Sequence, residues 1–196
     1  MAIVSTNDTA DPGHIDENGL PVPIIVLVDE HDNQVGLCEK MEAHRQGLLH
    51  RAFSVIIKNA AGQILLQQRA LGKYHSPGLW ANACCGHPGE GDDIAEAAAR
   101  RLGEEMGFAC ALVPGRQHSY CADVGDGLIE NEFVHVFFGL FDGTVSLNPS
   151  EASDYVWVDA IGLEMEVAAN PDRYSAWFRD YLDNFGDEII AWKPEA

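Results

Sequence analysis

At 196 residues the chain is long enough to bury a core of its own, on the order of 70% of its extended surface. Hydrophobic residues make up 46% and charged residues 22%, the balance of a folded globular protein. Thirty-one acidic residues against twelve basic ones give a net charge of −19, which repels phosphate backbones and anionic lipid and argues against nucleic-acid and membrane partners.

Residues 1–22 are rich in Asp, Asn, Gly and Pro and poor in large apolar side chains, which predicts a flexible arm ahead of one domain over 23–196. The apolar run Ile24 to Val28 falls far short of a membrane span, and no Lys or Arg precedes it as in a secretory signal. Five cysteines without paired zinc spacing suit free thiols in a reducing compartment. The expected location is intracellular, in the cytoplasm.

Ile24 to Val28 reads as a strand, Glu30 to Asn33 as a turn, Val35 to Leu37 as a short return and Glu39 to Arg45 as a helix. Arg51 to Lys58 and Gln63 to Arg69 are strands joined by Asn59-Ala60-Ala61-Gly62, and Gly72 to Gly78 is a loop. An apolar strand follows over Leu79 to Ala83. Asp92 to Met106 is the clearest helix: acidic residues open it, Gly107 stops it, and Ile94, Ala98, Leu102 and Met106 recur every fourth residue, with Ala97 beside them. Strands over Ala109–Ala122, Glu130–Phe141 and Tyr155–Val158 and helices over Leu163–Ala169 and Tyr174–Ile189 complete the order. The expected class is α/β (α+β), a mixed sheet flanked by helices.

Three clusters carry candidate chemistry. Cys84-Cys85-Gly86-His87-Pro88 follows the Leu79–Ala83 strand, so a thiol and an imidazole share a strand end; read alone, the segment also suits a buried cysteine pair and a turn histidine. Glu130-Asn131-Glu132 opens an apolar strand, where residues two apart face one way, so both carboxylates can reach one site. Two such groups near a buried face are costly unless a cation binds or one is protonated, although an exposed strand end would solvate both. His44 and His50 lie six residues apart. With His87, Glu130 and Glu132 they form a nitrogen and carboxylate set suited to Mn²⁺, Mg²⁺ or Zn²⁺.

The helix adds a fourth element. Gly86, Asp92, Arg100, Arg101, Leu102, Glu104, Glu105, Gly107 and Phe108 fall at the spacing of the Nudix box, in which helix carboxylates hold metal against a diphosphate. Asp92 stands where the box has Glu, and Arg101 replaces the Glu after the first Arg. An arginine there holds a diphosphate rather than helping to cut it.

Glu39-Lys40 to His44, His50-Arg51-Ala52-Phe53-Ser54, Gln68 to Lys73, Trp80 to Pro88 and Glu130-Asn131-Glu132 occur in that order. Together these segments resemble the type 1 isopentenyl-diphosphate isomerases, a Nudix-fold family, from about Ile24 to Trp177. The resemblance implies an isomerase that interconverts isopentenyl and dimethylallyl diphosphate in isoprenoid biosynthesis; a monomer or weak homodimer is the expected state, which no motif specifies. It implies His44, His50, His87, Glu130 and Glu132 as a metal shell and Cys85 as a catalytic thiol opposite Glu132, with Tyr120 relaying or tuning the Glu132 proton. Glu105 and the backbone carbonyl of Cys85 match the family's diphosphate-binding Mg²⁺ site. Lys40, Arg69, Lys73 and Arg101 match its diphosphate-binding residues, and Trp177 matches the aromatic residue that stabilises a carbocation-like intermediate. Four of only twelve basic residues then converge on one pocket, which reconciles an anionic substrate with an acidic chain.

Two other readings stand beside this one. A Nudix hydrolase predicts a full acidic helix box and no dedicated cysteine, so Arg101 and Cys85 count against it. A non-catalytic metal- or phosphate-binding protein of the same fold predicts loss of Cys85 or Glu132, and both are present. A flavin-dependent isomerase is unsupported, because no Gly-rich dinucleotide fingerprint follows a strand.

Overall fold

The computed structural model of the chain describes residues 22–193. The arm expected over residues 1–22 lies outside them except for its last residue.

Strands β1 (Ile24–Val28) and β2 (Gln34–Glu39) form an antiparallel hairpin, its return strand longer than the short Val35–Leu37 piece expected. Helix α1 (Lys40–Gln46) follows directly because the Glu39 carboxylate caps it, accepting from the backbone N–H of Met41 at 2.7 Å and of Glu42 at 2.8 Å. Strand β3 (His50–Lys58) is the centre of the sheet and turns back into β4 (Gln63–Arg69).

The expected strand over Leu79–Ala83 shortens to three residues, and a second short strand that was not expected follows it at Cys84. Strand β5 (Trp80–Asn82) pairs with β4, whereas β6 (Cys84–Gly86) pairs with β3. Asn82 sits at the switch, wholly buried, and its Nδ2 donates to the carbonyls of Val55 at 3.1 Å and Cys84 at 2.9 Å. Those bonds satisfy backbone groups that a change of partner strand would otherwise strand away from water. The chain also passes close by at Gly86, where a Cβ would lie 2.8 Å from the Phe53 ring.

Helix α2 (Ile94–Met106) starts two residues later than expected. Its N-cap is Asp93, which accepts from the Glu96 N–H at 3.0 Å, while Asp92 instead accepts from the Gly89 N–H at 3.0 Å and pairs with Arg100 at 3.2 Å. Gly107 ends it at φ +73, with Ser146 O so near that a Cβ would stand 2.2 Å away. Strands β7 (Leu112–Gly125) and β8 (Leu128–Leu140) form a long hairpin, the turn between them shorter than predicted. Then come β9 (Ala152–Asp159), antiparallel to β4, helix α3 (Leu163–Ala169) and helix α4 (Ala176–Ala191).

The strands join in one mixed sheet in which β8 runs parallel to β3. Period-two alternation splits β3 between two cores. Ala52 and Ile56 pack under α3 and α4 with Phe178 and Tyr181, whereas Phe53, Val55 and Ile57 pack under α2 with Ala98, Leu102 and Met106. Ile56, Phe53 and Leu102 are fully buried, each side chain contributing about 1.5–3 kcal/mol of hydrophobic stabilisation. At the far end of β3 the buried Lys58 ammonium donates to the carbonyls of Ile190 at 2.7 Å and Trp192 at 3.0 Å, placing a cation at the C-terminus of α4. The helices cover both faces, as the α/β reading expects.

Candidate active site

His44 rides on α1, wholly buried, and its Nδ1–H donates to the Lys40 carbonyl at 2.6 Å. His50 opens β3, also wholly buried, and its Nδ1–H donates to the Leu48 carbonyl at 2.8 Å. Each bond fixes the tautomer and leaves Nε2 with its lone pair directed inward. Between them stands Glu130 of β8, whose Oε2 lies 3.2 Å from His44 Nε2 and 3.7 Å from His50 Nε2. All three atoms are buried, and none makes a hydrogen bond of acceptable geometry. With His87, each residue brings one ligand atom to within 4.8 Å of the others. Buried acceptors turned toward one point are expensive unless a cation joins them, so this donor set fits a divalent metal ion.

The electrostatics agree. Burial alone would raise the Glu130 pKa, but the adjacent rings of His44, His50 and His75 outweigh it and hold this carboxyl well below the ordinary carboxylate range. Burial lowers the His44 pKa, yet Glu130 overrides it and raises it, a proton competing for the place a cation would take. Burial, reinforced by His50, drives His87 well below the usual imidazole value, so its ring is neutral. A neutral ring and an ionised carboxylate are the forms that bind metal.

Glu132 lies two residues along the same face of β8. The parallel register sets it opposite His50, and the antiparallel register sets it opposite Tyr120. Its Oε1 is 3.0 Å from His87 Nε2 and 3.8 Å from His50 Nε2, while its Oε2 accepts from the Tyr120 hydroxyl at 2.6 Å. Burial, then the neighbouring Glu130 charge, raises the Glu132 pKa to about 8. Burial and Glu132 push Tyr120 well above the usual phenol value, so Tyr120 remains a donor.

Cys85 comes from β6, in register with Ser54 of β3. Its Sγ donates to Asn82 Oδ1 at 3.3 Å and lies 3.2 Å from Ser54 Oγ, which is in turn 2.8 Å from the Tyr181 hydroxyl. Burial pushes the thiol up to about 12, so it carries its proton at neutral pH. Cys84 faces the other way, into the core beneath α2, as strand alternation predicts. Trp177 on α4 is buried, its Nε1–H donates to Asn82 Oδ1 at 3.2 Å, and the Arg69 guanidinium carbon lies 5.0 Å from its ring centroid.

Cys85, Glu132, Tyr120 and Trp177 line one cleft, and Lys40, Arg69, Lys73 and Arg101 line the same cleft. The expected catalytic pair, aromatic wall and cations are therefore brought together, with His44 and His50 just behind. At the cationic end acidic groups answer the charges. Arg101 pairs with Glu104 and Glu105 at 2.8 Å each and with Glu151 at 3.3 Å, and Glu151 also pairs with Lys73. Glu105 is 4% exposed and accepts from Gln67 Nε2 at 3.0 Å through its other oxygen.

Sequence reasoning missed six residues here: Ser54, Gln67, His75, Asn82, Glu151 and Tyr181. His75 is buried, with Nε2 2.9 Å from Glu130 Oε1. Asn82 left a signal, a lone amide within the apolar run Trp80 to Cys85. The other five take their positions from strand pairing and loop path, which leave no local pattern.

Comparison with known proteins adds independent findings. The NUDIX domain family model matches residues 48–178. Isopentenyl-diphosphate Delta-isomerase 2 of Aromatoleum aromaticum is 50% identical over 159 residues, 81% of this chain and 84% of that protein. Isopentenyl-diphosphate Delta-isomerase of Burkholderia multivorans is 49% identical over 166 residues, covering 85% of this chain and 94% of its own. Among solved structures, a Deinococcus radiodurans protein superposes with a TM-score of 0.68 at 21% identity, covering 82% of this chain and 97% of its own. A MutT protein from Methanosarcina mazei superposes with a TM-score of 0.57 at 24% identity, over 71% of this chain and 94% of its own. These likenesses concern the fold.

Proposed function

This chain belongs to the isopentenyl-diphosphate Delta-isomerase family of the Nudix fold, and we propose that it performs the family's reaction with Cys85 and Glu132 on opposite sides of the five-carbon substrate. It interconverts isopentenyl and dimethylallyl diphosphate in isoprenoid biosynthesis. The observation that carries the assignment of roles is the convergence of Cys85, Glu132, Tyr120 and Trp177 on a cleft whose other wall is cationic.

Shifting the double bond adds a proton at one carbon and removes one from a neighbour. An unactivated alkene is a very weak base, so the acid must be well placed and water kept out. Cys85 Sγ and a Glu132 carboxylate oxygen exchange the two roles: whichever donates in one direction accepts in the other. Ser54 and Asn82 hold the thiol, and Tyr120 holds Glu132 Oε2, so each proton moves at a defined atom. The buried face of Trp177 offers π density to the cationic carbon and no nucleophile to trap it.

His44, His50, His87, Glu130 and Glu132 would hold Mn²⁺, Mg²⁺ or Zn²⁺, and Glu105 with the Cys85 backbone carbonyl would hold Mg²⁺ against the diphosphate. Bound there, the ions offset clustered negative charge, make the Glu132 carboxyl a stronger acid and neutralise the diphosphate. Lys40, Arg69, Lys73 and Arg101 anchor the diphosphate, so binding energy remote from the reacting carbons orients a short hydrocarbon. The orphaned acceptors at the histidine end and the cluster of cations at the other support this division. Among the described residues no helix is long and apolar enough to cross a membrane. The reading is of a cytoplasmic monomer or weak homodimer that needs neither nucleic acid nor membrane, and the net charge of −19 supports it.

Proton NMR with isopentenyl diphosphate, Mg²⁺ and Mn²⁺ in D₂O tests the assignment. Dimethylallyl diphosphate should form with deuterium incorporated, and Cys85→Ala should abolish it. Full exchange and turnover by Cys85→Ala would remove the thiol from the mechanism. Phosphate or pyrophosphate released without isomer would point instead to a hydrolase.

A further inference from the structure

The loop between β4 and β5 carries Lys73 and also a histidine that proton transfer does not require. His75 is 5% exposed, and its Nε2 lies 2.9 Å from Glu130 Oε1, while the other oxygen, Oε2, is the one near His44 and His50. Its ring stacks with His44 at 6.2 Å between centroids and meets Trp177 edge-on at 5.6 Å. The His75 backbone carbonyl accepts from Arg69 Nη2 at 3.1 Å, and Ser76 Oγ lies 3.2 Å from its Nδ1. A hydroxyl donated to Nδ1 would leave the proton on Nε2, on the side of the ring that faces the carboxylate.

Glu130 thus has two differently occupied oxygens. Its side chain has enough rotamer freedom that a buried carboxylate needs a donor to keep one oxygen on target. His75 is also outside the set of four residues whose ligand atoms come together, which are His44, His50, His87 and Glu130.

We infer that His75 is a positioning residue of the metal centre, its Nε2–H clamping Glu130 Oε1 so that Oε2 stays aimed between His44 and His50. The inference rests on the reading of those residues as metal ligands. Partners that orient a ligand in this way typically contribute about 10–100-fold in metal affinity. Because the same loop bears Lys73, and Arg69 holds the His75 carbonyl, the clamp ties the metal end of the cleft to its cationic end.

The test uses full-length protein stripped with chelator and titrated with Mn²⁺, the free ion being read by electron paramagnetic resonance. His75→Ala should weaken Mn²⁺ binding about 10–100-fold. His75→Phe keeps the ring against His44 and Trp177 but has no donor, so it should be equally weak and carries the test should the alanine variant not fold. His75→Gln, whose amide N–H can reach the same oxygen, should recover most of the affinity. Its Co²⁺-loaded form should keep the wild-type d–d band positions, because no nitrogen ligand has been lost. Wild-type affinity in His75→Phe would overturn the inference and leave ring packing as the residue's role. Shifted Co²⁺ bands with no recovery in His75→Gln would overturn it in favour of direct ligation. A wild-type protein that binds no Mn²⁺ would sink the metal reading itself, and the inference with it.

Discussion

The two ends of the cleft solve opposite electrostatic problems. At the histidine end, Nε2 of His44 and of His50 and Oε2 of Glu130 are buried acceptors with no hydrogen-bond donor. At the cationic end, Arg101 and Lys73 are already matched by Glu104, Glu105 and Glu151. One end is arranged for an added positive charge; the other would have to give up internal ion pairs to hold the diphosphate proposed for it. A set of unpaired acceptors and a set of exchangeable ion pairs thus stand side by side, with Cys85 and Glu132, the proposed reacting groups, lining the same cleft.

The largest effect that would sharpen this contrast concerns that pair of groups. Glu132→Gln keeps the Tyr120 contact and the packing but cannot release a carboxyl proton, so kcat should fall by about 10²–10⁴-fold, the usual share of a general acid–base group. Single-turnover NMR would show it, and a loss of less than tenfold would move the proton transfer elsewhere.

Next in size is the histidine end. Adding Mn²⁺ to chelated wild-type protein should raise its melting temperature, because an ion at 100 times its Kd stabilises the folded state by about 2.7 kcal/mol. Glu130→Gln should lose most of that increase. An undiminished increase would mean that the ion binds elsewhere and would break the comparison.

The smallest effects belong to the cationic end. With Lys73 and Arg101 holding the diphosphate as proposed, Glu151→Gln removes a carboxylate that competes for them, so KM should fall severalfold with kcat unchanged, the pattern of uniform binding. The same variant has a pH signature. Burial would raise the Glu151 pKa, but Lys73 and Arg101 overrule it and the folded value lies below the ordinary 4.5. A depressed carboxyl pKa stabilises the fold above the unfolded value, and that share is lost as pH falls through the folded one. The stability difference between wild type and Glu151→Gln, followed by urea melts, should therefore shrink below about pH 4.5. A difference constant across that range would mean that the ion pair contributes nothing to folding.

What was legible in the sequence follows from chemistry that is local along the chain. The two-residue spacing of Glu130 and Glu132 announced a shared face, and strand alternation separated Cys84 from Cys85, as the two cores bear out. The fourfold spacing of α2 marked its buried side, although half-buried Ile94 belongs to the edge of it. The change of partner after Asn82 and the second strand at Cys84 were not legible, because an apolar run looks the same whether it keeps one partner or changes to another. Ser54 and Tyr181 were invisible for a related reason. Ser54 meets Cys85 across 31 residues of sequence and Tyr181 meets Ser54 across 127, distances over which no periodicity carries information. His75 stood in a Gly- and Pro-bearing loop, where composition predicts a turn and says nothing of which carboxylate the turn will touch.

The parallel pairing of β3 with β8 has a consequence for how the sequence can change. Both strands are apolar on both faces, with Phe53 and Ile56 on one and Val134 and Phe137 on the other all buried, so greasy contacts alone would accept a shift of one position. Such a slip turns every side chain to the opposite face. His50 would then leave Glu132, and two carboxylates would be driven into a core with no partners. Spelling in this part of the chain is therefore proofread by its few polar letters. Substitution of one aliphatic side chain for another should be forgiven there, whereas a single-residue insertion or deletion between Glu130 and Leu140 should be read as a frameshift in space, erasing the site while leaving hydropathy nearly untouched.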